Sequence, residues 1–182
     1  VQAAAKPTLR VEKPVARTLP EIVAKRVELL TAYQDKAYAE RYRRFVERVA
    51  TVEKERARGR SGLAEAVAKS LYKLMAYKDE YEVARLYTDG SFANKISEKF
   101  DGDFQLKFCL APPIFARRDK ATGRLRKIEF SGWMIHAFRV LAKLKFLRGT
   151  ALDLFGRTEE RRTERKLIED YIAMIDQRVA GL

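Results

Sequence analysis

Cysteine and histidine are scarce in this chain of 182 residues, in which Cys109 is the one cysteine and His136 the one histidine. A single cysteine cannot close an intramolecular disulfide, and an iron–sulfur cluster or structural zinc ion requires several Cys or His ligands. We therefore expect that the chain encodes no metal or cofactor site of its own. The absence of disulfides also favours a reducing, cytoplasmic location.

Glycine-rich loops and long apolar runs are missing as well. The nine glycines form neither the P-loop pattern nor the dinucleotide fingerprint, so nucleotide hydrolysis and hydride transfer have no local support. The most apolar stretch, from Trp133 to Leu147, is interrupted by one histidine and three basic residues. Such a stretch does not suit an ordinary transmembrane helix, and we expect no membrane span.

The sequence also contains few residue patterns that are typical of catalytic sites. Cys109 and His136 are the one available pair of thiol nucleophile and imidazole base, and an independent hydrolase built on Cys109 is the resulting enzymatic alternative. We interpret both as structural residues, because one falls on the polar side of a predicted strand and the other on a predicted helix. Neighbouring carboxylate pairs lie at predicted element boundaries or on polar faces, where capping and solvation account for them. The chain alone is therefore predicted not to be an enzyme.

Charge of one sign is abundant: 38 Lys and Arg against 25 Asp and Glu give a formal net charge of +13. This excess attracts anions, but both signs occur in most stretches, which favours a solvated helical surface with ion pairs. The best candidate for an anion or partner contact is a cluster of six basic residues in a stretch that contains one acidic residue. It comprises Arg117, Arg118, Lys120, Arg124, Arg126 and Lys127. Nucleic acid is a weaker candidate partner, because no zinc-finger spacing, RNA-recognition signature or clear helix-turn-helix is present.

Apolar residues at three-to-four spacing predict that most of the chain is helical. Residues 1–17, which contain Pro7 and Pro14, are predicted to be a linker or extended arm, and residues 18–182 one helical domain. Thr18 and Glu21 form a capping-box pattern that begins the first helix. A break is expected near Asp35, and Gly59 and Gly62 predict a loop.

We expect a small β-hairpin near residues 104–130, where the helical spacing of apolar residues is interrupted. Apolar and polar residues alternate over 104–110, which predicts a strand, and a second extended segment is expected at 125–130. Helices are predicted over 133–147 and from Thr158 onward. The predicted fold class is mainly α, with a small antiparallel β-hairpin insertion, or α+β if the hairpin is extended.

Four extended sequence blocks carry a resemblance to a known family. They are TAYQDKAYAERY at 31–42, MAYKDEYEVARLYTDG at 75–90, LAPPIFARRDKATGRLRKIEF at 110–130 and FRVLAKLKFLRGTALDLFGRTEERRTER at 138–165. In this order they resemble the C-terminal region of indolepyruvate ferredoxin oxidoreductase in its long, fused single-chain form. The first residue, Val1 rather than Met, is consistent with our expectation that the chain is a piece of a longer polypeptide.

The resemblance implies a parent enzyme that oxidatively decarboxylates aryl-pyruvates to acyl-coenzyme A and reduces ferredoxin. Thiamine diphosphate and four-iron clusters are the cofactors implied for that parent. The family's cluster-binding cysteines and thiamine-diphosphate motif have no matching positions here, so no catalytic or cofactor residue carries over. The expected role is an accessory domain that packs against the parent's catalytic domains, with ferredoxin as a further partner. The alternative is a free-standing basic module for nucleic acid or another polyanion.

Overall fold

The computed structural model describes residues 18–57, 59–100, 105–110 and 128–181. Within these ranges the fold is mainly α with one small antiparallel sheet, which confirms the predicted fold class. The elements, in chain order, are α1 (Leu19–Tyr33), α2 (Lys36–Arg56), α3 (Leu63–Met75), α4 (Glu80–Thr88), α5 (Ser91–Lys99), β1 (Phe108–Leu110), β2 (Ile128–Phe130), α6 (Met134–Lys143) and α7 (Glu159–Ala180). The predicted arm, 1–17, lies outside the described residues.

Backbone contacts divide the chain into two compact units. The first, here called the helical unit, comprises the described residues between 18 and 79 and between 145 and 181, and contains α1, α2, α3 and α7. The second, the hairpin unit, comprises the described residues between 80 and 144 and contains α4, α5, the two strands and α6. No helix among the described residues is both long enough and apolar enough to cross a membrane.

The first two helices of the helical unit begin where their capping residues predict. The Thr18 hydroxyl accepts a hydrogen bond from the Glu21 amide, and the Glu21 carboxylate accepts one from the Thr18 amide, which completes the capping box. Asp35 caps α2 by accepting a hydrogen bond from the Tyr38 amide at 2.8 Å. The break expected near Asp35 is therefore a boundary between two separate helices.

The third helix has a cap that comes from a distant part of the sequence. Its N-cap is Gly62, which has a φ of 109° and no side chain to donate or accept. The Glu53 carboxylate on α2 instead accepts hydrogen bonds from the amides of Leu63, at 2.6 Å, and Ala64, at 2.9 Å. An acidic side chain is also favoured there by the positive end of the helix dipole.

One continuous apolar core fills the helical unit. Its fully buried side chains come from α1, α2 and α3, and the inward face of α7 covers them, as the periodicity of each helix predicts. Core members include Leu30, Tyr42, Val46, Val49, Leu71, Met75, Ile168 and Ile175.

The helix predicted over 133–147 is shorter in the structure than its apolar pattern suggests. The α-helix ends at Lys143, and Leu144–Leu147 form a tighter 3₁₀ turn. Gly149, with a φ of 76°, then adopts the left-handed conformation that a helix cannot continue through. A second 3₁₀ turn at Phe155–Arg157 leads to Thr158, whose hydroxyl caps α7.

The hairpin unit contains the predicted strands, in shorter form. β1 and β2 pair antiparallel with Phe108 opposite Phe130 and Cys109 opposite Glu129. Gln105, Lys107 and Cys109 are exposed and Phe108 is buried, so the predicted alternation holds where the chain is described. Among the described residues, 108–110 pair with 128–130 in a regular ladder. The core of this unit is an aromatic cluster of Tyr87, Phe108 and Phe138 with ring centroids 5.2 to 5.3 Å apart.

Candidate functional site

A buried ion pair is the most conspicuous polar feature of the helical unit. Nε and Nη2 of Arg148 donate to Oδ2 and Oδ1 of Asp79 at 2.5 and 2.9 Å, and both side chains are 3% exposed. Nη1 of Arg148 donates to the Tyr33 carbonyl at 2.7 Å. The guanidinium also lies 3.7 Å from the centroid of the Tyr33 ring. Arg148 therefore joins the end of α1 to the residue that precedes α4.

Tyrosine hydroxyls surround this ion pair and are held in their neutral form. The Tyr33 hydroxyl donates to the Tyr77 carbonyl, and the Tyr38 hydroxyl donates to the Met75 carbonyl, each at 3.0 Å. Burial raises the pKa of Tyr33, Tyr38 and Tyr77 above the ordinary value of a tyrosine. Burial alone would lower the pKa of Arg148, but the hydrogen bond to Asp79 and the electrostatic attraction of Tyr33, Asp79 and Tyr77 together outweigh it, and the pKa is raised.

A second buried carboxylate shapes the segment that follows Arg148. Asp153 accepts hydrogen bonds from the amide of Gly149 at 2.8 Å and from the amide of Gly156 at 2.9 Å. A Cβ atom on Gly156 would lie 2.1 Å from Oδ2 of Asp153, so only glycine fits at this position. Nη2 of Arg165 donates to the Gly156 carbonyl at 2.6 Å and ties the segment to α7.

Together these groups form what we call the polar lock: Tyr33, Asp79, Arg148, Asp153 and Gly156. Its carboxylates accept hydrogen bonds from a guanidinium or from backbone amides, and its guanidinium is bound on three nitrogen atoms. Buried polar groups satisfied in this way hold a backbone in one conformation. The arrangement is suited to positioning a segment rather than to proton transfer or nucleophilic attack.

The segment that the polar lock holds, residues 145–157, is here called the docking loop. Three large apolar side chains on it face solvent: Phe146 is 65% exposed, Leu152 70% and Leu154 65%. Successive turns fix their positions, because the amides of Thr150 and Asp153 donate to the carbonyls of Leu147 and Thr150. Grouped exposed apolar side chains of this kind are typical of interaction surfaces.

The basic cluster predicted as an anion or partner contact, Arg117 to Lys127, lies outside the described residues. Among the residues that flank it, β1 ends at Leu110 and β2 begins at Ile128. The partner role of its six basic side chains therefore stays a prediction.

The predicted thiol and imidazole lie at two exposed positions of the hairpin unit. Cys109 is exposed on β1, opposite Glu129 in the strand pairing, and His136 is exposed in the first turn of α6. Neither side chain has a hydrogen-bond partner among the described residues. The pair was suggested only because the chain has one cysteine and one histidine, and no contact between the two side chains is found among the described residues.

The described residues do not fit the cofactors that the family resemblance implies for a parent enzyme. An iron–sulfur cluster needs several thiolate ligands, and Cys109 is the one cysteine of the chain. No group of three or more His, Cys, Asp or Glu side chains in the described ranges is placed to hold a metal ion.

The polar lock was missed by sequence reasoning. In the sequence, Asp79 has only the position of a helix cap, directly before α4, and neither Arg148 nor Asp153 belongs to a recognisable motif. Their only sequence signal was that all three fall inside the blocks of family resemblance at 75–90 and 138–165. Because ion-pair partners 69 positions apart have no spacing rule, charge pattern alone could not have joined them.

The fold and site thus define a mainly helical chain in which buried, hydrogen-bonded polar residues hold an exposed loop. Residues 19–182 match a family described as a family of unknown function (DUF6537), and the chain belongs to that family. Comparisons with curated proteins and with solved structures find no match.

Proposed function

We propose that this chain is a C-terminal accessory domain of an indolepyruvate ferredoxin oxidoreductase, inactive alone, that packs against the catalytic domains of the same polypeptide. The observation that carries the proposal is the set of four ordered sequence blocks between residues 31 and 165. The parent reaction is the oxidative decarboxylation of aryl-pyruvates to acyl-coenzyme A with reduction of ferredoxin. Thiamine diphosphate and four-iron clusters belong to the neighbouring polypeptide, and the cytoplasm is the expected location.

The position of the polar lock within these blocks supports a structural role for them. Tyr33 lies in block 31–42, Asp79 in block 75–90, and Arg148 and Asp153 in block 138–165. Three of the four blocks therefore meet at buried hydrogen bonds that hold the docking loop.

The docking loop also supplies a surface for the proposed interdomain contact. Phe146, Leu152 and Leu154 would lose most of their exposed area against a neighbouring domain, and burial of a large apolar side chain contributes about 1.5–3 kcal/mol. Because the polar lock already fixes the docking loop in one conformation, less conformational entropy is lost when the loop binds a neighbouring domain. The occupant that we propose is a catalytic domain of the parent polypeptide.

A direct test compares two variants of the full-length enzyme in which exposed leucines are replaced by aspartate. Leu152→Asp with Leu154→Asp is expected to lower ferredoxin reduction at least about tenfold, because each carboxylate would have to lose water at the interface. Leu167→Asp on α7, which replaces another exposed apolar residue of the helical unit, is the matched control and should retain activity. Equal activity of both variants would remove the docking loop from the proposal.

The assignment to this enzyme has its own test. The reading frame that encodes the chain should continue into cysteine-rich and thiamine-diphosphate-binding segments. Purified 182-residue protein should hold no cluster or thiamine diphosphate and should not convert a 2-oxoacid. A chain that turned over a 2-oxoacid by itself would refute the accessory role.

Ferredoxin steering by the basic cluster is a separate part of the proposal. Ferredoxins of the resembled enzymes are commonly acidic, and opposite charge accelerates encounter in a salt-dependent way. Charge reversal at Arg117, Arg118 and Arg126 should slow ferredoxin reduction at low salt and flatten its salt dependence. An unchanged rate and salt response would exclude this role. A free-standing polyanion module would instead bind nucleic acid at low salt in a filter-binding titration.

A further inference from the structure

The hairpin unit contains a small pocket that the proposed function does not use. It encloses about 220 Å³ between the end of α4, helix α5, helix α6 and the residues that precede β1. Its apolar lining includes Phe92 and Ile96 from α5, Leu106 from the approach to β1, and Ile135 from α6. The pocket is therefore formed where four parts of the unit converge on a common apolar space.

Helix α5 is incompletely packed on the side that lines this pocket. None of its residues is buried, and its apolar side chains Phe92 and Ile96 are only half-buried. The ring of Phe92 meets Tyr87 edge-on, with centroids 4.8 Å apart, so the helix is anchored at its first turn. Apolar side chains around unfilled space gain free energy when a ligand of matching shape covers them.

Two polar side chains of the pocket are available for a ligand. Tyr87 and Arg139 both line it, and within the described ranges neither the hydroxyl nor the guanidinium has a hydrogen-bond or ion-pair partner. Arg85 of the same unit differs, because it is bound by Glu82 and Asp89. Arg139 follows Ile135 by one helical turn, so a cation and an apolar side chain share one face of α6.

We propose that this pocket binds a small apolar monocarboxylate. Its carboxylate accepts hydrogen bonds from Arg139 and the Tyr87 hydroxyl, and its hydrocarbon body lies against Phe92, Ile96 and Ile135. One available cation matches one negative charge, and a guanidinium is well suited to a carboxylate. A volume below the roughly 300 Å³ at which drug-sized ligand pockets begin excludes nucleotides and coenzymes. The inference is independent of the accessory role and of the docking loop.

The experiment is an NMR titration of the ¹⁵N-labelled 182-residue chain with 3-phenylpropionate. Two control probes test the contributions of the hydrocarbon part and of the carboxylate separately. 3-Phenylpropan-1-ol has the hydrocarbon part without the charge, and acetate has the charge without the phenylethyl group. We expect saturable shifts at the end of α4, in α5 and in α6 for 3-phenylpropionate, with both control probes at least about tenfold weaker. The amides of α5 should also exchange more slowly with solvent when the ligand is bound.

Variants locate the binding energy within the pocket. Arg139→Gln should weaken binding of 3-phenylpropionate about tenfold, because a charge-assisted hydrogen bond is lost. Arg162→Gln, which changes an exposed arginine on α7, is the matched control and should bind as the unchanged chain does. Ala93→Leu should abolish binding by filling the pocket while leaving Arg139 in place.

Three results would overturn the proposal. The first is the absence of a saturable shift up to about 10 mM 3-phenylpropionate. The second is equal binding of the alcohol or of acetate, which would mean that body or charge alone is recognised. The third is full affinity in Arg139→Gln. None of these outcomes bears on ferredoxin reduction by the full-length enzyme, so the two proposals fail separately.

Discussion

Arg148 binds both carboxylate oxygens of Asp79 across 69 positions of sequence, and its third nitrogen donates to the carbonyl of Tyr33. The two charges lie in the interior of the helical unit, where neither can be solvated if its partner is removed. The bidentate geometry fixes the orientation of the guanidinium and therefore the start of the docking loop. The ion pair thus links the stability of this unit to the shape of an exposed surface.

Removal of one member of this pair should be strongly destabilising. Arg148→Met removes the guanidinium that binds both oxygens of the buried Asp79 carboxylate, and we expect a loss of about 3–5 kcal/mol in the free energy of unfolding. Urea denaturation followed by circular dichroism measures the change. Lys166→Met breaks an ion pair with Asp170 in which the side chains are 73% and 54% exposed, and should cost less than about 1 kcal/mol. Equal losses in the two variants would contradict a structural role for the buried pair.

Gly156→Ala should destabilise the chain through one steric contact. The new Cβ would lie 2.1 Å from Oδ2 of Asp153. The Asp153 carboxylate cannot move away freely, because the amides of Gly149 and Gly156 each donate a hydrogen bond to one of its oxygens. We expect a cost of about 1–3 kcal/mol in thermal or urea unfolding. Gly132→Ala, where a Cβ would meet nothing within 4 Å, is the matched control and should be nearly neutral.

Asp153→Ala provides a second check on the same contact. Once the carboxylate is gone, Gly156→Ala should add little further destabilisation, because the clashing atoms have been removed. The two substitutions should therefore be strongly non-additive. Additive losses would show that the strain at Gly156 has another source.

Glu53→Ala should weaken helix α3 although the substitution lies on α2. It removes the carboxylate that accepts hydrogen bonds from the Leu63 and Ala64 amides, and Gly62 offers no side chain in its place. The expected loss is about 1 kcal/mol, with faster hydrogen exchange in the first turn of α3. Glu55→Ala, at an exposed position of the same helix, should leave both measurements unchanged.

Tyr42 should make the stability of the helical unit sensitive to alkaline pH. Its hydroxyl donates to the Ala68 carbonyl at 2.9 Å, and burial raises its pKa from 10.0 to about 12. Because the folded-state pKa is the higher one, this stabilisation is complete below pH 10 and is lost as the pH rises toward 12.

Tyr42→Phe tests that pH dependence. The variant should lose about 1 kcal/mol at neutral pH, because one buried hydrogen bond is absent. Its stability should then decline less steeply than that of the unchanged chain above pH 10, measured by urea denaturation at each pH. Parallel declines would mean that the Tyr42 hydroxyl does not contribute to alkaline unfolding.

Local features of the fold were predictable because their causes are local. Thr18 and Asp35 accept hydrogen bonds from amides three residues further on, and Glu21 accepts one from the Thr18 amide, so they mark helix starts in the sequence itself. The exposed and buried alternation from Gln105 to Cys109 is likewise a property of adjacent residues on a pleated strand. Only the ends of elements were misjudged, as where α6 tightens into a 3₁₀ turn after Lys143.

The sequence by itself determined the mainly α class, the starts of α1, α2 and α7 and the place of the hairpin, because periodicity and capping act over a few residues. Tertiary structure alone decided that Asp79 pairs with Arg148 and that Glu53 caps α3, since such partners meet only after the helices pack. It also decided that Gly156 must be a glycine, because the atoms a side chain would strike belong to an Asp153 carboxylate fixed by hydrogen bonds. The physical reason is that folding brings distant groups together in a medium where an unpaired charge is costly.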